Sequence, residues 1–406
     1  MAGGRPLRSL QIAIVAHGRF HAFDLARELI ARGHDVTLLT NYPRWAVTRF
    51  GVPASSVKSF VAHGAVTRLA GRLPSVARRL SAERRLHRMF GRWAERVLRQ
   101  RRWDIVHCWS GASEEILLSK RVVGHTVLMR GSSHIAVQAR LLADEARQAG
   151  VAIDRPSPWM VAREMREYAQ AERILVLSTF ARQTFIDEGT SDDRLMVLPL
   201  GADASAFRPG PDAAAGRARR ILAREPLRVL LCGAVSFRKG VRHVARLVSE
   251  VDATRVQFTW VGAVLPEAAA LAAQLRSRGV RVMGHVPQQR LSALYAEADV
   301  FLFPTIEDGY GMVLAQAQAA GLPALATTHS AAPDVIRHGD NGWLVESGDV
   351  QGMVDVLNWC DRERASLAAM AARVYRDGWP RSWSTVAADF ESMAVALRDG
   401  AAGDRA

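Results

Sequence analysis

Cysteine is scarce in this 406-residue sequence, and its three copies stand far apart. Cys108, Cys232 and Cys360 do not have the spacing of a metal-binding set. We interpret them as small buried side chains of a protein from a reducing compartment. His17 and His21 have the i, i+4 spacing of helical metal ligands, but they lie in a glycine-containing loop without an evident third ligand. We therefore predict no metal site.

Long apolar runs are also missing. No stretch reaches the roughly 18 apolar residues of a membrane span. The first apolar segment, QIAIVA, is short and leads into a charged helix, which favours a strand over a signal peptide. With 49% hydrophobic residues and a length beyond one ordinary core, the chain is expected to form two soluble domains. A cytoplasmic location is expected.

Lysine is rare, with three copies among 54 lysines and arginines, and the formal net charge is +14. Much of the surplus lies in residues 68–102, where 12 arginines accompany two glutamates. Apolar and aromatic residues recur there at near-helical spacing, a combination that suits an anionic membrane surface. A solvated helical face accounts for the pattern equally well. Nucleic-acid binding is not expected, because no reading motif is present.

Two glycine-rich phosphate motifs are absent as well. The segment after the first apolar strand reads AHGRFHAF, without the G-x-G-x-x-G of dinucleotide-binding proteins. The G-x-x-x-x-G-K-[ST] loop of nucleoside triphosphatases does not occur. Hydride transfer and nucleoside triphosphate hydrolysis are therefore disfavoured.

What is present is an α/β alternation in two blocks. The predicted strands are QIAIVA, DVTLLT, DIVHCW, HTVLMR and RILVLS, then LRVLLCG, VQFTWVG, VRVMG, DVFLFP and PALATT. Apolar strands separated by helices predict parallel sheets that are buried on both faces. Residues 201–220, rich in Pro, Gly and Ala, are predicted to link domains 1–200 and 221–380. A ligand is expected between the two domains, near the carboxyl ends of the strands.

The stretch EDGYGMVLAQAQAAGLPALAT, residues 307–327, holds two acids before a glycine turn. It predicts a loop at a strand end followed by a helix that ends at Gly321. The glycines let the backbone approach a ligand, and the free N–H groups at the helix start favour an anion. Gln316 falls two turns into this helix and reaches toward the same crevice. A solvent-facing acidic turn is the simpler alternative.

Two further loops follow predicted strands. In CGAVSFRKGVRHVARLV, residues 232–248, Arg238 and Lys239 stand at a strand end, where cations suit a phosphate. In RGSSHI, residues 130–135, His134 is expected to point into the crevice from the other domain. A structural role is the alternative for this histidine.

Together these segments resemble retaining glycosyltransferases of the GT-B fold, family 4, the group 1 sugar transferases. The resemblance covers nearly the whole chain and rests on AHGRFH, ARGHDVTLLT, RGSSH, PLGADASAFRP, FRKG, GHVPQQRLSALYAEADVFLFP and the 307–327 stretch. It implies two Rossmann-like doubly wound domains facing across a cleft. It also implies acceptor binding by 1–200, donor binding by 221–380, and a crossover helix at about 381–400 that returns to the first domain.

The resemblance also implies roles for single residues. The family's acid-x7-acid motif falls on Asp308 and Gln316, or begins one residue earlier at Glu307; the first acid contacts the donor sugar and the second the ribose. Glutamine in the second place can still bind a diol, though more weakly than a carboxylate. The other donor-binding residues implied are Gly18, Gly309, Tyr310 and Gly311, the last three through backbone N–H groups.

Lys239 matches the lysine of the family's cation pair. Ala234, Val235 and Ser236 stand at the usual place of the arginine, so Arg238 is expected to substitute. His134 resembles a first-domain histidine near the transferred sugar. Glu307, Asp308 and His134 are thus the catalytic candidates.

The implied activity is metal-independent, retaining transfer of a hexose from a nucleotide-diphosphate-sugar donor, with no cofactor. A glycan or lipid-linked acceptor is expected, in cell-surface polysaccharide or glycolipid biosynthesis, with peripheral contact at the inner membrane face. Fixed cations and a helix N-terminus stabilise a leaving diphosphate without a metal. The alternatives are a degenerate GT-B protein, with Gln316 marking lost activity, or another sugar-nucleotide enzyme such as an epimerase. Donor hydrolysis or transfer separates active protein from degenerate.

Overall fold

The computed structural model describes residues 9–70, 76–379 and 381–403. Its first unit is built on a seven-stranded parallel sheet in the order β3-β2-β1-β4-β5-β6-β7. The strands are β1 Gln11–Ala16, β2 Asp35–Thr40, β3 Val57–Ser59, β4 Ile105–Trp109, β5 His125–Met129, β6 Arg173–Val176 and β7 Leu195–Val197.

The second unit has a six-stranded parallel sheet in the order β10-β9-β8-β11-β12-β13. Its strands are β8 Leu227–Cys232, β9 Val256–Val261, β10 Arg281–Val282, β11 Val300–Phe303, β12 Ala324–Thr327 and β13 Gly342–Val345. In both sheets the order reverses beside the first strand of the unit, as in doubly wound nucleotide-binding folds.

Helices connect the strands throughout. Up to the start of β8 they are α1 Ala22–Ala31, α2 Arg44–Thr48, α3 Val61–Ala70, α4 Val76–Leu98, α5 Glu114–Leu117, α6 Ile135–Ala149, α7 Pro158–Gln170, α8 Thr179–Asp187, α9 Ala204–Phe207 and α10 Pro211–Leu222. After it come α11 Val241–Glu250, α12 Ala269–Ser277, α13 Gln288–Glu297, α14 Met312–Ala319, α15 Ala332–Val335, α16 Val350–Arg362, α17 Arg364–Asp377 and α18 Trp383–Gly403. Short 3₁₀ turns lie at Ala54–Ser56, Asp192–Arg194 and Pro266–Ala268.

Each sheet has an apolar core on both faces, which is why its strands read as continuous apolar runs. Along β1, Ile12 and Ile14 belong to one buried cluster while Ala13 and Val15 belong to another, so alternate side chains enter cores on opposite sides. The second sheet is likewise covered by two separate clusters. The predicted fold class, α/β with two Rossmann-like doubly wound units, is confirmed.

The stretch predicted to link the two domains is largely helical in the structure. Residues 204–207 and 211–222 are helical. Helix α10 packs against α17 of the second unit, and its buried Arg217 donates hydrogen bonds to the carbonyls of Ala298, Ala320 and Gly321. A charged residue replaces an apolar one on the buried face of this helix, so the sequence has no clear apolar period there.

The last helix returns to the first unit. Helix α18 packs along α1 and contributes Trp383, Val386 and Phe390 to an apolar cluster of the first sheet. On the same helix, the buried Glu391 pairs with Arg32.

Candidate active site

The loop between β11 and α14 carries the two acids. It turns into the helix at Gly311, whose φ of +82° is strained for other residues. A side chain there would also meet the ring of Phe303 at 2.7 Å. The turn therefore requires glycine, and it leaves the first N–H groups of α14 without intrahelical partners. This is the arrangement that favours an anion at a helix start.

Asp308 lies beside the predicted lysine. Its carboxylate pairs with the ammonium of Lys239 and accepts a 3.3 Å hydrogen bond from the N–H of Tyr310. Burial alone would raise the pKa of Asp308, but Lys239 and Arg238 lower it below its ordinary value. Asp308 is therefore ionised at neutral pH, next to two fixed cations.

Arg238 and Lys239 precede α11 at the carboxyl end of β8. Arg238 donates to the backbone carbonyl of Glu307 at 3.2 Å and lies 3.6 Å from its carboxylate. Its side chain is about one-third exposed, at 36%. Burial is the largest cause that lowers the pKa of Lys239, and Arg238 adds to it. The structure thus brings the predicted cations and acids of the second unit together.

Glu307 points away from that pair and into the first unit. One carboxylate oxygen accepts hydrogen bonds from the hydroxyl of Ser132 at 2.6 Å and from the N–H and hydroxyl of Ser133, both at 2.9 Å. The other accepts from the amide of Gln138 at 2.8 Å. Glu307 is fully buried. Burial would raise its pKa, but Arg238 and the serine hydrogen bonds lower it overall.

Gly309 and Tyr310 also contact the first unit. The carbonyl of Gly309 accepts a 2.8 Å hydrogen bond from the hydroxyl of Ser178. The hydroxyl of Tyr310 donates to the carbonyl of Leu200 at 2.7 Å, and its ring is 3% exposed. The tyrosine side chain is therefore buried in the interface between the two units.

Gln316 is half-buried on α14. Its amide oxygen accepts a 3.2 Å hydrogen bond from the hydroxyl of Tyr295. With the oxygen engaged in this way, the NH₂ group is the part of the amide suited to a ligand hydroxyl.

His134 does not point into the crevice, so that expectation is wrong. It caps α6: Nδ1 accepts from the N–H of Ala136, and the ring packs 4.8 Å from Phe185 and 5.0 Å from Tyr168. The residue is 2% exposed, and burial lowers its pKa to about 4. Aromatic packing and the helix cap together turn this side chain toward the core, which its place after a strand does not reveal.

Gly18 lies in the loop after β1. A side chain there would meet the ring of Phe20 at 2.7 Å. Phe20 has a φ of +39° and is 54% exposed, and its ring stacks on Trp109. A side chain at position 18 would therefore displace this ring, and the part of Gly18 in donor binding stays a prediction.

The structure shows no group of three potential metal ligands in the chain it describes. Burial lowers the pKa of both His17 and His21 to about 3. Both imidazoles are therefore neutral at physiological pH. His17 contacts His87, and His21 contacts Trp109.

Sequence reasoning missed the partners that hold the 307–311 loop. Ser132 and Ser133 stand in the RGSSHI segment already singled out, directly before His134. Gln138 follows one turn into α6 and carries no motif. In addition, Asp334 of the second unit accepts from the backbone N–H of Thr179 at 2.9 Å.

Comparison with known proteins places both units in one class. Residues 19–206 match the family described as Glycosyltransferase Family 4, and residues 226–360 match Glycosyl transferases group 1. A D-inositol 3-phosphate glycosyltransferase of Nocardia farcinica is 31% identical over 261 residues, which cover 60% of this chain and 57% of that protein. The chain thus spans little more than half the length of that relative.

Solved structures agree in fold. Anabaena HepE in complex with UDP and glucose has a TM-score of 0.67 at 15% identity, and covers 95% of this chain and 100% of its own. Sucrose-phosphate synthase from Thermosynechococcus elongatus has a TM-score of 0.70 at 17% identity, with 97% and 100% covered. With both units matched by sequence and by fold, the chain belongs to the group 1 glycosyltransferases of family 4, which have the GT-B fold.

Proposed function

We propose that the protein is a retaining, metal-independent glycosyltransferase that moves a hexose from a nucleotide-diphosphate-sugar to a glycan or lipid-linked acceptor. The observation that carries this proposal is the contact of Lys239 with Asp308, with Arg238 beside them, between the end of β8 and the start of α14. Two cations and a helix N-terminus form a site for a diphosphate that needs no metal ion. The complex of Anabaena HepE with UDP and glucose supports a nucleotide-sugar donor.

The chemistry follows from the charges. Breaking the sugar–phosphate bond places negative charge on the leaving diphosphate and positive charge on the sugar. Arg238 and Lys239 stabilise the first charge, and the ionised Asp308 orients the donor and stabilises the second. In a retaining reaction the acceptor hydroxyl attacks from the leaving-group face, and its proton passes to the phosphate.

Product analysis with a panel of donors tests this function. Purified protein is incubated with UDP-, GDP- and ADP-hexoses and a panel of simple glycan acceptors, with and without EDTA, and release of nucleoside diphosphate is measured. Release that survives EDTA is expected. The anomeric proton coupling of the glycoside formed on the acceptor should show the donor's anomeric configuration, whereas a free sugar would lose it by mutarotation. Lys239→Met should lower the rate at least about a hundredfold, as for loss of a preorganised charge.

The exposed Lys120→Met is the matched control and should keep the wild-type rate. Inverted product would refute the retaining mechanism, and dependence on a divalent ion would refute metal independence. Nucleotide binding without any release would favour a degenerate protein.

A membrane-bound acceptor is favoured by the surface of α4. Its buried face carries Leu86, Phe90 and Ala94. The outward arginines are Arg84, Arg85, Arg88, Arg92 and Arg96. An exposed apolar side chain lies on the same helix at Met89, and two more lie elsewhere on the unit, at Trp45 of α2 and Leu69 of α3. A basic helix with an exposed apolar side chain suits an anionic lipid surface.

Residues 71–75 of the predicted basic segment, 68–102, lie outside the described residues. No helix in the described part of the chain combines the length and apolarity of a bilayer span. We propose peripheral attachment at the inner membrane face through the basic surface of α4.

Vesicle flotation tests this part. Replacement of four α4 arginines by glutamine should reduce binding to phosphatidylserine vesicles, by about 1 kcal/mol for each arginine that lies near the surface. The four are Arg84, Arg85, Arg88 and Arg92. A control replaces four exposed arginines of the second unit: Arg276, Arg278, Arg290 and Arg362. Equal binding by both variants would rule out α4 as the membrane contact.

A further inference from the structure

The carboxylate of Glu307 is held by the opposite unit of the molecule. It belongs to the second unit, yet four hydrogen bonds reach it from the first, donated by Ser132, Ser133 and Gln138 at 2.6 to 2.9 Å. The carboxylate has no exposed surface. A buried carboxylate is stable only when its oxygens are paired in this way.

Gln138 is oriented for this contact by Arg130. The guanidinium of Arg130 donates to the amide oxygen of Gln138 at 2.7 Å, which directs the NH₂ group toward Glu307 and the hydroxyl of Ser132. Arg130 is itself paired with Glu164 at 2.9 Å and donates to the carbonyl of Ser133 at 3.0 Å. One buried arginine thus arranges both the serine loop and the glutamine.

The residues that follow Glu307 are seated on the same surface. Gly309 lies so close to Gly131 and Ser132 that a side chain at 309 would enter their backbone. Its carbonyl accepts from Ser178. Asp308 lies between these two contacts, so the position of the Asp308–Lys239 pair depends on how the loop sits against the first unit.

We propose that Glu307 is an interdomain latch, and that Arg130, Ser132, Ser133 and Gln138 are positioning residues that hold it when the two units are closed. The latch sets the position of Asp308 and Lys239 for the donor, an effect that rests on the proposed function. Because its oxygens are occupied by the first unit, Glu307 is not a donor ligand. Of the two possible starts of the acid-x7-acid motif, the geometry therefore favours Asp308.

A distance measurement tests the latch without any ligand. Spin labels on Lys120→Cys in the first unit and Arg276→Cys in the second use exposed positions, while the native cysteines are buried. Gln138→Ala should shift the inter-label distances to longer and broader values. Gln183→Ala, an exposed glutamine that bonds only within α8, should leave them unchanged. Identical distances in Gln138→Ala and the parent would overturn the latch.

An exchange of the two side chains separates a specific contact from simple loss of packing. Gln138→Glu sets a second carboxylate against Glu307 and should open the units more than Gln138→Ala does. Adding Glu307→Gln to Gln138→Glu restores one amide and one carboxylate with their places exchanged, so the closed distances should return. Failure of the double variant to recover, with wild-type melting temperature, would refute the proposal.

Kinetics with an active donor add a second readout. Gln138→Ala should lower kcat/KM about tenfold, the effect expected for one lost hydrogen bond to a carboxylate, and the exchanged pair should recover most of it. If wild-type protein neither hydrolyses nor transfers the sugar of any donor, the proposed function fails, while the spin-label distances still decide on the latch.

Discussion

Replacing Gly309 by alanine tests how closely the two units must meet. The added Cβ would lie 2.6 Å from the carbonyl carbon of Gly131 and 2.6 Å from the Cα of Ser132. Both are backbone atoms, which cannot rotate out of the way. The carbonyl oxygen of Gly131 lies closer still. Contact at the tight limit of 3.4 Å therefore requires the surfaces to separate by at least about 0.8 Å at this point.

That displacement is enough to break the neighbouring contacts. The 2.9 Å bonds from Ser133 to Glu307 would stretch to about 3.7 Å, beyond hydrogen-bond range. A shift of about 1 Å in a reacting group costs roughly a hundredfold in rate. We expect kcat/KM for donor hydrolysis to fall by about that factor, while circular dichroism stays unchanged because neither core is touched.

Gly216→Ala is the matched control. It lies within α10, where the nearest side-chain atoms are 3.8 and 3.9 Å from the added carbon. This variant should keep wild-type kinetics and gain up to about 1 kcal/mol of stability from helix propensity. A Gly309→Ala enzyme with kcat/KM within twofold of wild type would refute the closed arrangement as the active one.

Three further predictions concern acidity, the ribose contact and the second core. Burial lowers the pKa of His107 from 6.5 to about 4, so the unfolded chain takes up this proton first and stability falls as the pH drops from 6.5 to 4. At pH 5 this side chain lowers the free energy of unfolding by about 2 kcal/mol. In urea titrations, the free energy of unfolding of His107→Gln should therefore depend less steeply on pH than that of wild type; an equal slope would contradict this. Gln316→Glu should tighten nucleoside diphosphate binding about tenfold in calorimetry, since a carboxylate binds a diol more strongly than an amide does; weaker binding would argue against a ribose contact. Arg217→Met leaves several buried carbonyls without donors and should cost at least about 3 kcal/mol in urea unfolding, and a smaller cost would show that water replaces the guanidinium.

Strand periodicity predicted most of the fold, because the central strands are long, apolar and buried on both faces. Three strands at the sheet edges were missed. Val57–Ser59 and Leu195–Val197 lie at the two edges of the first sheet, and Gly342–Val345 lies at one edge of the second. Their pairing with a single neighbouring strand defines them, and three or four residues carry too little pattern for a prediction.

The charged residues of the site could be predicted from the sequence, but the orientations of their side chains could be predicted less well. Lys239 and Asp308 follow strands of the same sheet, so their approach could be inferred from topology. The direction of Glu307 depends on Ser132, Ser133 and Gln138, which are far away in sequence and belong to the other unit. The ring of His134 turns inward because of its aromatic neighbours. Tertiary packing determines these orientations, and it cannot be read from a single sequence.

The central claim is that Lys239 and Asp308 mark a nucleotide-diphosphate-sugar site. A thermal-shift screen of UDP, GDP and ADP and their sugars, on wild type, Lys239→Ala and the control Lys120→Ala, tests it most directly. At a hundredfold excess over Kd, a bound nucleotide adds about 2.7 kcal/mol of stability. We expect one nucleotide to stabilise the wild type and the control but not Lys239→Ala. No stabilisation by any of them, or equal stabilisation of Lys239→Ala, would contradict the claim.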